Sequence, residues 1–368
     1  MWVKVTQLVP NNVLLSDVIA KSGRPIIPAN TVLTETHIKV LENFSIEQVQ
    51  VSPQLSDGKQ FMPKEELEKV VQTIPSKTEN VSELSFIEHY EVVVSNYKEI
   101  FQQVQSGLAL DMPKVRAFFI PLLNRIDEIK DELYELHKRS TIEDYIYHHA
   151  VAVGLLSAYI AKQLQVNTGE QIQIGLAGLL SDIGMAKLNP AILSSNRPLM
   201  FQEQEDIEQH PTYSYRLVEQ ISTLTTQAKL AILQHHERND RSGYPLGLSK
   251  DKIHPYAHII AVSDTFHAMT CEKIYRGRQS IFIAFEEIVK HKVTKFDEKI
   301  VDVFLKAISP LQLNTIVQLS NGKVGKVAFI HSDQPVRPII QIGENEFFIL
   351  ERHPDVYIEK IIKKEDEQ

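Results

Sequence analysis

Cysteine is nearly missing from this chain. Cys271 is the only one in 368 residues, so no internal disulfide can form and a cytoplasmic location is expected. Glycine and proline are also sparse, 14 and 17 residues or about 8% together, which excludes a collagen-like or low-complexity chain. No apolar run reaches the ~18 residues that a spanning helix needs, and no charged-then-apolar leader opens the sequence. Positive charge is not in excess. Lysine and arginine number 39 against 47 acidic residues, a formal charge of −8. No overall field gathers polyanions, DNA binding is disfavoured, and any nucleotide site must be locally basic. A Gly-rich phosphate loop, a Ser-His-Asp order, a reactive-cysteine signature and a solenoid-length repeat are all absent.

What is present describes a folded protein of roughly two to three domains at about 100–200 residues each: 43% of the residues are apolar and 23% charged. From Met1 to Val51 short apolar runs alternate with turn residues, as at Val13-Leu14-Leu15, Gly23-Arg24-Pro25 and Ile26-Ile27-Pro28, which predicts a small β-rich unit with a helical stretch over Thr34 to Leu41. Residues 52–80 carry Pro53, Asp57-Gly58, Pro63 and Pro75 among charges and read as a linker. From Val81 onward apolar residues recur at helical spacing for most of two hundred positions, with glycine and proline mainly between segments, so a helix bundle is expected. After Pro310 the period shortens. Thr315 to Leu319, Gly325 to Ile330, Pro338 to Ile342 and Glu346 to Leu350 read as strands of a small barrel-like module.

The helical centre carries the chemistry. His148-His149, Asp182, His210, His235-His236 and Asp264 each sit in an apolar or helical context. An aspartate in such a run loses its hydration at considerable cost unless a cation or strong donors receive it. A single buried histidine more often pairs with a backbone carbonyl, and a single aspartate more often caps a helix. Together, such residues also match the ligand set of Mn, Fe or Zn.

Their order resembles a family. His149, Gly178-Leu179-Leu180-Ser181-Asp182-Ile183-Gly184, His210-Pro211, the run from His235-His236-Glu237 to Gly243-Tyr244-Pro245, and Ala261 to Thr270 with Asp264 occur as in the HD-GYP phosphodiesterases. The resemblance covers about residues 110–307, and its His-His-Glu to Gly-Tyr-Pro block is highly specific. It implies a mainly α protein: an HD-type helical bundle with small β-rich modules at both ends. The segments expected are an N-terminal accessory segment at 1–110, the helical metal domain at 111–307, and a β module at 308–368. Residues 1–51 look like the accessory segment that often precedes this domain, and the C-terminal module resembles an extension of some members.

The implied function is metal-dependent hydrolysis of cyclic di-GMP to the linear dinucleotide or GMP in bacterial second-messenger signalling. Carried over position by position, His149, Asp182, His210, His235, His236 and Asp264 are metal ligands for one or two divalent ions (Fe, Mn or Zn). Asp182 is also catalytic, and Tyr244, Lys273 and Arg276 contact substrate. The expected partners are cyclic di-GMP, signalling proteins and a second copy of the chain in a homodimer.

Several positions depart from the pattern. The family's first-letter histidine is Ser181, whose neutral hydroxyl is a poor substitute for imidazole. Met185 replaces a lysine, and Lys187, two residues on, lies about 200° away if the segment is helical. His267 stands where an aspartate is usual, Arg241 where a glycine is, and Lys273 where arginine is common. Tyr145 replaces the glutamate that gives some members a third metal, which argues against a trinuclear centre. His148, about 100° around the helix from His149, reads as a surface or supporting histidine. The alternative reading is a catalytically degenerate protein that serves as a cyclic di-GMP receptor or protein-interaction module.

Overall fold

The computed structural model describes residues 2–19, 25–43, 46, 48–56, 61, 84–129, 132–193, 195, 197–271 and 280–362. The chain divides into two compact units, residues 1–83 and 84–368. In the first, β1 (Trp2–Lys4) pairs antiparallel with β4 (Gln48–Gln50), and β2 (Val18–Ile19) with β3 (Pro25–Ile27). Trp2, Val3 and Lys4 alternate out, in, out, so the strand turns Val3 onto a small core with Leu14, Leu33, Val49 and Val51. Helix α1 (Glu35–Asn43) adds Leu41 to it. Most of the 52–80 linker reading lies outside the described residues.

The second unit is mainly helical: α2 (Phe86–Gln105), α3 (Met112–Leu123), α4 (Tyr145–Gln163), α5 (Thr168–Leu180), α6 (Pro190–Leu193), α7 (Phe201–Glu208), α8 (His210–Val218), α9 (Thr226–Gln234), α10 (Pro255–Thr270), α11 (Ile281–Lys290) and α12 (Glu298–Ile308). Side chains written into the sequence start these helices. Ser85 and Glu88 form a capping box for α2, and Asp111, Asn167, Thr225 and Asp297 each accept a first-turn amide of α3, α5, α9 and α12.

Helix α4 is apolar around most of its circumference, and every residue from His148 to Ala161 is buried, which makes it the central helix of the bundle. Gly154 and Gly178 let α5 lie close against it: a Cβ at Gly154 would stand 2.9 Å from the Gly175 carbonyl oxygen, and one at Gly178 would stand 3.0 Å from the Gly154 Cα. Among the described residues no helix is long and apolar enough to cross a membrane.

Five antiparallel strands follow, β5 (Ile316–Leu319), β6 (Val324–His331), β7 (Gln334–Gln341), β8 (Phe347–Ile349) and β9 (Ile358–Ile361), in the order β8-β7-β6-β5-β9. The sheet is open where the sequence reads as barrel-like. Its edge strands β8 and β9 have only three and four residues, too little to close a cylinder of staggered, tilted strands. Gly322, at φ +80°, forms the β5–β6 turn. The buried face of the sheet, with Val317, Val327 and Ile340, is continuous with the helical core.

Arg337 on β7 fastens the sheet to α11. Its guanidinium donates to Glu286 Oε2 at 2.8 and 3.0 Å and to the Leu350 carbonyl at 3.0 Å. Burial pushes the Glu286 carboxyl up and Arg337 draws it back down. Arg337→Met would leave that half-buried carboxylate without its guanidinium. Because the pair keeps some solvent contact, with side-chain exposures of 18% and 25%, a loss of about 2 kcal/mol is expected in thermal or urea unfolding, below the 3–5 typical of fully buried pairs.

Candidate metal centre

Five segments bring the site together. His149 comes from α4, Asp182 from the turn after α5, His210 from the start of α8, His235 and His236 from the end of α9, and Asp264 from α10. The Asp182 turn and α8 meet through Gly184 and Ser214. Gly184 N–H donates to Ser214 Oγ at 2.8 Å, and that hydroxyl donates to the Ser181 carbonyl at 2.6 Å. A Cβ at Gly184 would lie 2.2 Å from the His210 carbonyl oxygen, so the Asp-Ile-Gly glycine is what lets His210 reach Asp182. The loop around Tyr244 is held by Glu237, buried to 1% exposure, whose two oxygens accept the Leu246 and Leu248 amides at 2.7 and 2.8 Å. A Cβ at Gly243 would stand 2.3 Å from the His236 carbonyl oxygen.

The six ligand candidates form two groups that share Asp182: Asp182, His210, His235 and His236 in one, and His149, Asp182 and Asp264 in the other, with the donor atoms of each group within 4.8 Å of one another. Asp182 Oδ1 lies 3.1 Å from His210 Nε2 and 3.3 Å from His235 Nε2, and Oδ2 lies 3.5 Å from His149 Nε2. Asp264 Oδ1 lies 3.0 Å from His149 Nε2, and its Oδ2 lies 3.7 Å from His236 Nδ1.

The proton arrangement decides what this cluster accepts. His210 Nδ1 is 2.7 Å from the Ile207 carbonyl and His235 Nδ1 is 2.8 Å from the Ile232 carbonyl. A carbonyl only accepts, so both outer nitrogens carry the proton, and the neutral form of each ring presents a bare Nε2. Those nitrogens are 3.2 Å apart, and Asp182 Oδ1 between them is buried with no hydrogen-bond donor among the described residues. Three lone pairs facing one another repel unless positive charge lies among them, which is the arrangement that suits a divalent cation. Burial and the neighbouring His235 push the His236 imidazole well down, leaving it neutral and able to offer a lone pair.

The remaining residues singled out in the sequence fall in several places. Tyr244 lies beside the histidines, its ring 4.6 Å from that of His236 and 6.3 Å from that of His210, and burial holds its phenol protonated. Ser181 Oγ turns away and donates to the Gly178 carbonyl at 2.9 Å. Met185 packs on the core, and Lys187 Nζ bonds the Val104 carbonyl at 2.9 Å, so it does not replace the missing lysine. Arg241 is exposed, at φ +65°. His148 is not a surface histidine: it is 3% exposed, with Nδ1 3.2 Å from the Tyr90 hydroxyl. Lys273 and Arg276 lie outside the described residues.

Three residues take places at the site that the sequence did not indicate. Glu237 was signalled only by its place in His-His-Glu. Tyr145, four residues before His149 and hence on the same helix face, stacks on that imidazole at 5.1 Å and brings its hydroxyl to 3.4 Å from Nδ1. His267, three residues after Asp264, brings Nδ1 to 3.0 Å from His149 Nδ1.

The HD domain family matches residues 125–300. A cyclic di-GMP phosphodiesterase of Pseudomonas aeruginosa is 27% identical over 70% of this chain and 63% of its own length. One of Borreliella burgdorferi is 24% identical over 85% of this chain and 80% of its own, and one of Thermotoga maritima is 31% identical over 51% and 48%. The chain thus spans less than two thirds of the first and third of these relatives. The chain carries an HD domain over residues 125–300, with a buried histidine and aspartate cluster at its centre, and is similar along much of its length to these cyclic di-GMP phosphodiesterases.

Proposed function

We propose that this protein is a metal-dependent phosphodiesterase that opens cyclic di-GMP with water. The observation that carries the reading is Asp182: buried, with no donor on Oδ1 among the described residues, and shared by two groups of candidate ligands. His210, His235, His236 and Asp182 would hold one divalent ion (Fe, Mn or Zn), and His149, Asp264 and Asp182 would hold a second. Bound there, divalent ions would oppose the phosphate charge and supply a water nucleophile near neutral pH. Asp182 is the catalytic carboxylate in this reading, since it fixes the spacing of both ions. Tyr244 faces the substrate with a protonated phenol. Lys273 and Arg276 supply phosphate contacts by the family pattern, which also offsets the chain's acidic balance locally.

Two positions favour a second reading, a receptor that binds cyclic di-GMP without turnover. Ser181 bonds its own helix and Met185 packs on the core, so neither gives the centre the imidazole or ammonium that the family pattern has there. The deciding experiment is incubation of Mn- or Fe-reconstituted protein with cyclic di-GMP, followed by chromatography, with Asp182→Ala as control. Linear product from the wild type alone supports the hydrolase. Saturable binding without product, with metal content confirmed, supports the receptor.

Ser181→His restores an imidazole beside Asp182 and is expected to tighten the weaker metal site by about tenfold or more, roughly 1.4 kcal/mol. Metal titration of the two proteins checks this. Equal affinities would mean that position 181 does not reach the centre.

A further inference from the structure

We infer that His267 is a positioning residue that turns the metal-binding nitrogen of His149 into the centre. The inference rests on the metal-dependent reading above and concerns how one of its ligands is oriented.

His210 and His235 have their outer nitrogens fixed by carbonyls of Ile207 and Ile232. Among the described residues no carbonyl does this for His149. It sits within α4, where carbonyls are engaged in the helix, and its outer Nδ1 meets two side chains instead: His267 Nδ1 at 3.0 Å and the Tyr145 hydroxyl at 3.4 Å. His267 is 1% exposed and backed by the buried Cys271 thiol, 3.4 Å from the same Nδ1.

Two imidazole nitrogens 3.0 Å apart share one proton, and there are two ways to place it. If His149 donates, its Nε2 is bare and faces Asp264 Oδ1 at 3.0 Å and Asp182 Oδ2 at 3.5 Å, ready for a cation. If His267 donates, a neutral His149 must carry its proton on Nε2, where it satisfies Asp264 and blocks the site. His267 supports the first arrangement by accepting at Nδ1 with its own proton on Nε2. The aspartate usual at this position in the family pattern places an acceptor oxygen on the same Cγ. Acceptor placement is therefore kept although the residue type is not.

Atom position makes the test specific. Asparagine carries its Oδ1 on Cγ, where histidine carries Nδ1, whereas glutamine places its acceptor one bond further out. His267→Asn should therefore preserve the site, and His267→Gln and His267→Phe should not. Mn(II) titration of the metal-stripped full chain, counting ions bound and their affinities, is the measurement, with thermal unfolding of the stripped proteins beside it. The wild type is expected to hold two ions. Glutamine and phenylalanine should weaken one of them by about 10- to 100-fold and leave the other unchanged, with asparagine within about threefold of wild type, a discrimination set by the acceptor position. If the phenylalanine variant does not fold, the glutamine variant carries the test.

Wild-type affinity at both sites in the glutamine or phenylalanine variant would overturn the inference. So would an asparagine variant as weak as those two, since His267 would then act only through packing. A wild-type chain that binds no Mn(II), Fe(II) or Zn(II) would instead overturn the metal-dependent reading itself.

Discussion

Asp182→Ala is expected to strip the centre of metal at both sites, with at least a hundredfold loss of affinity at each. Removing a supporting group around a ligand typically costs 10–100-fold, and Asp182 is a ligand candidate common to both groups. The consequence extends to stability. A ligand that binds only the folded chain stabilises it by RT ln(1 + [L]/Kd), about 2.7 kcal/mol at a hundredfold excess over Kd. The wild type should therefore melt higher in Mn(II) than in chelator, while Asp182→Ala should melt at one temperature in both. Metal content by elemental analysis completes the check. A variant that keeps two ions would show that Asp182 is not shared, and hydrolysis would then have to be assigned to another carboxylate.

The contrast between Asp182 and His267 explains how much could be read from the sequence. Asp182, His210, His235 and Asp264 announce themselves because a titratable residue in an apolar helical run is costly unless something receives it. The helical centre and the strand-rich ends are legible for a similar local reason, since periods of 3.6 and 2 are written into consecutive residues. His267 is hidden because its meaning depends on a partner 118 positions away, and nothing in the run from Ala261 to Thr270 says which face meets α4. The same holds for Glu237, whose task is to accept two amides of a loop about ten residues further on. His148 differs: its turn of about 100° from His149 left a surface or a supporting place open, and because α4 is buried on all sides, even the face turned away from the centre is core. The barrel-like reading failed because strand length, which decides closure, was set by pairing partners and not by the alternation alone.

Glycine replacements should separate the geometry of the centre from its chemistry. Gly184→Ala places a Cβ 2.2 Å from the His210 carbonyl oxygen and 2.5 Å from the Ser214 amide nitrogen. Both obstacles are backbone, so no side chain can rotate aside, and α8 must move away from the Asp182 turn. Overpacking typically costs 1–3 kcal/mol; with helix backbone on the far side, the upper end is expected, about 3 kcal/mol. For a unit of this size that is a fall of roughly 6–12 °C in Tm. Because His210 opens α8, the displacement also pulls its Nε2 from the 3.1 Å approach to Asp182, and metal affinity should fall in step. Gly169→Ala is the matched control. It lies in the first turn of α5, where a Cβ would meet only the Asn167 side-chain oxygen at 3.4 Å, and alanine is favoured over glycine in helices by up to about 1 kcal/mol. It should leave Tm unchanged or raise it, with metal binding intact. If both variants behaved alike, the tight seat of α8 on the Asp-Ile-Gly turn would not be what brings His210 to Asp182.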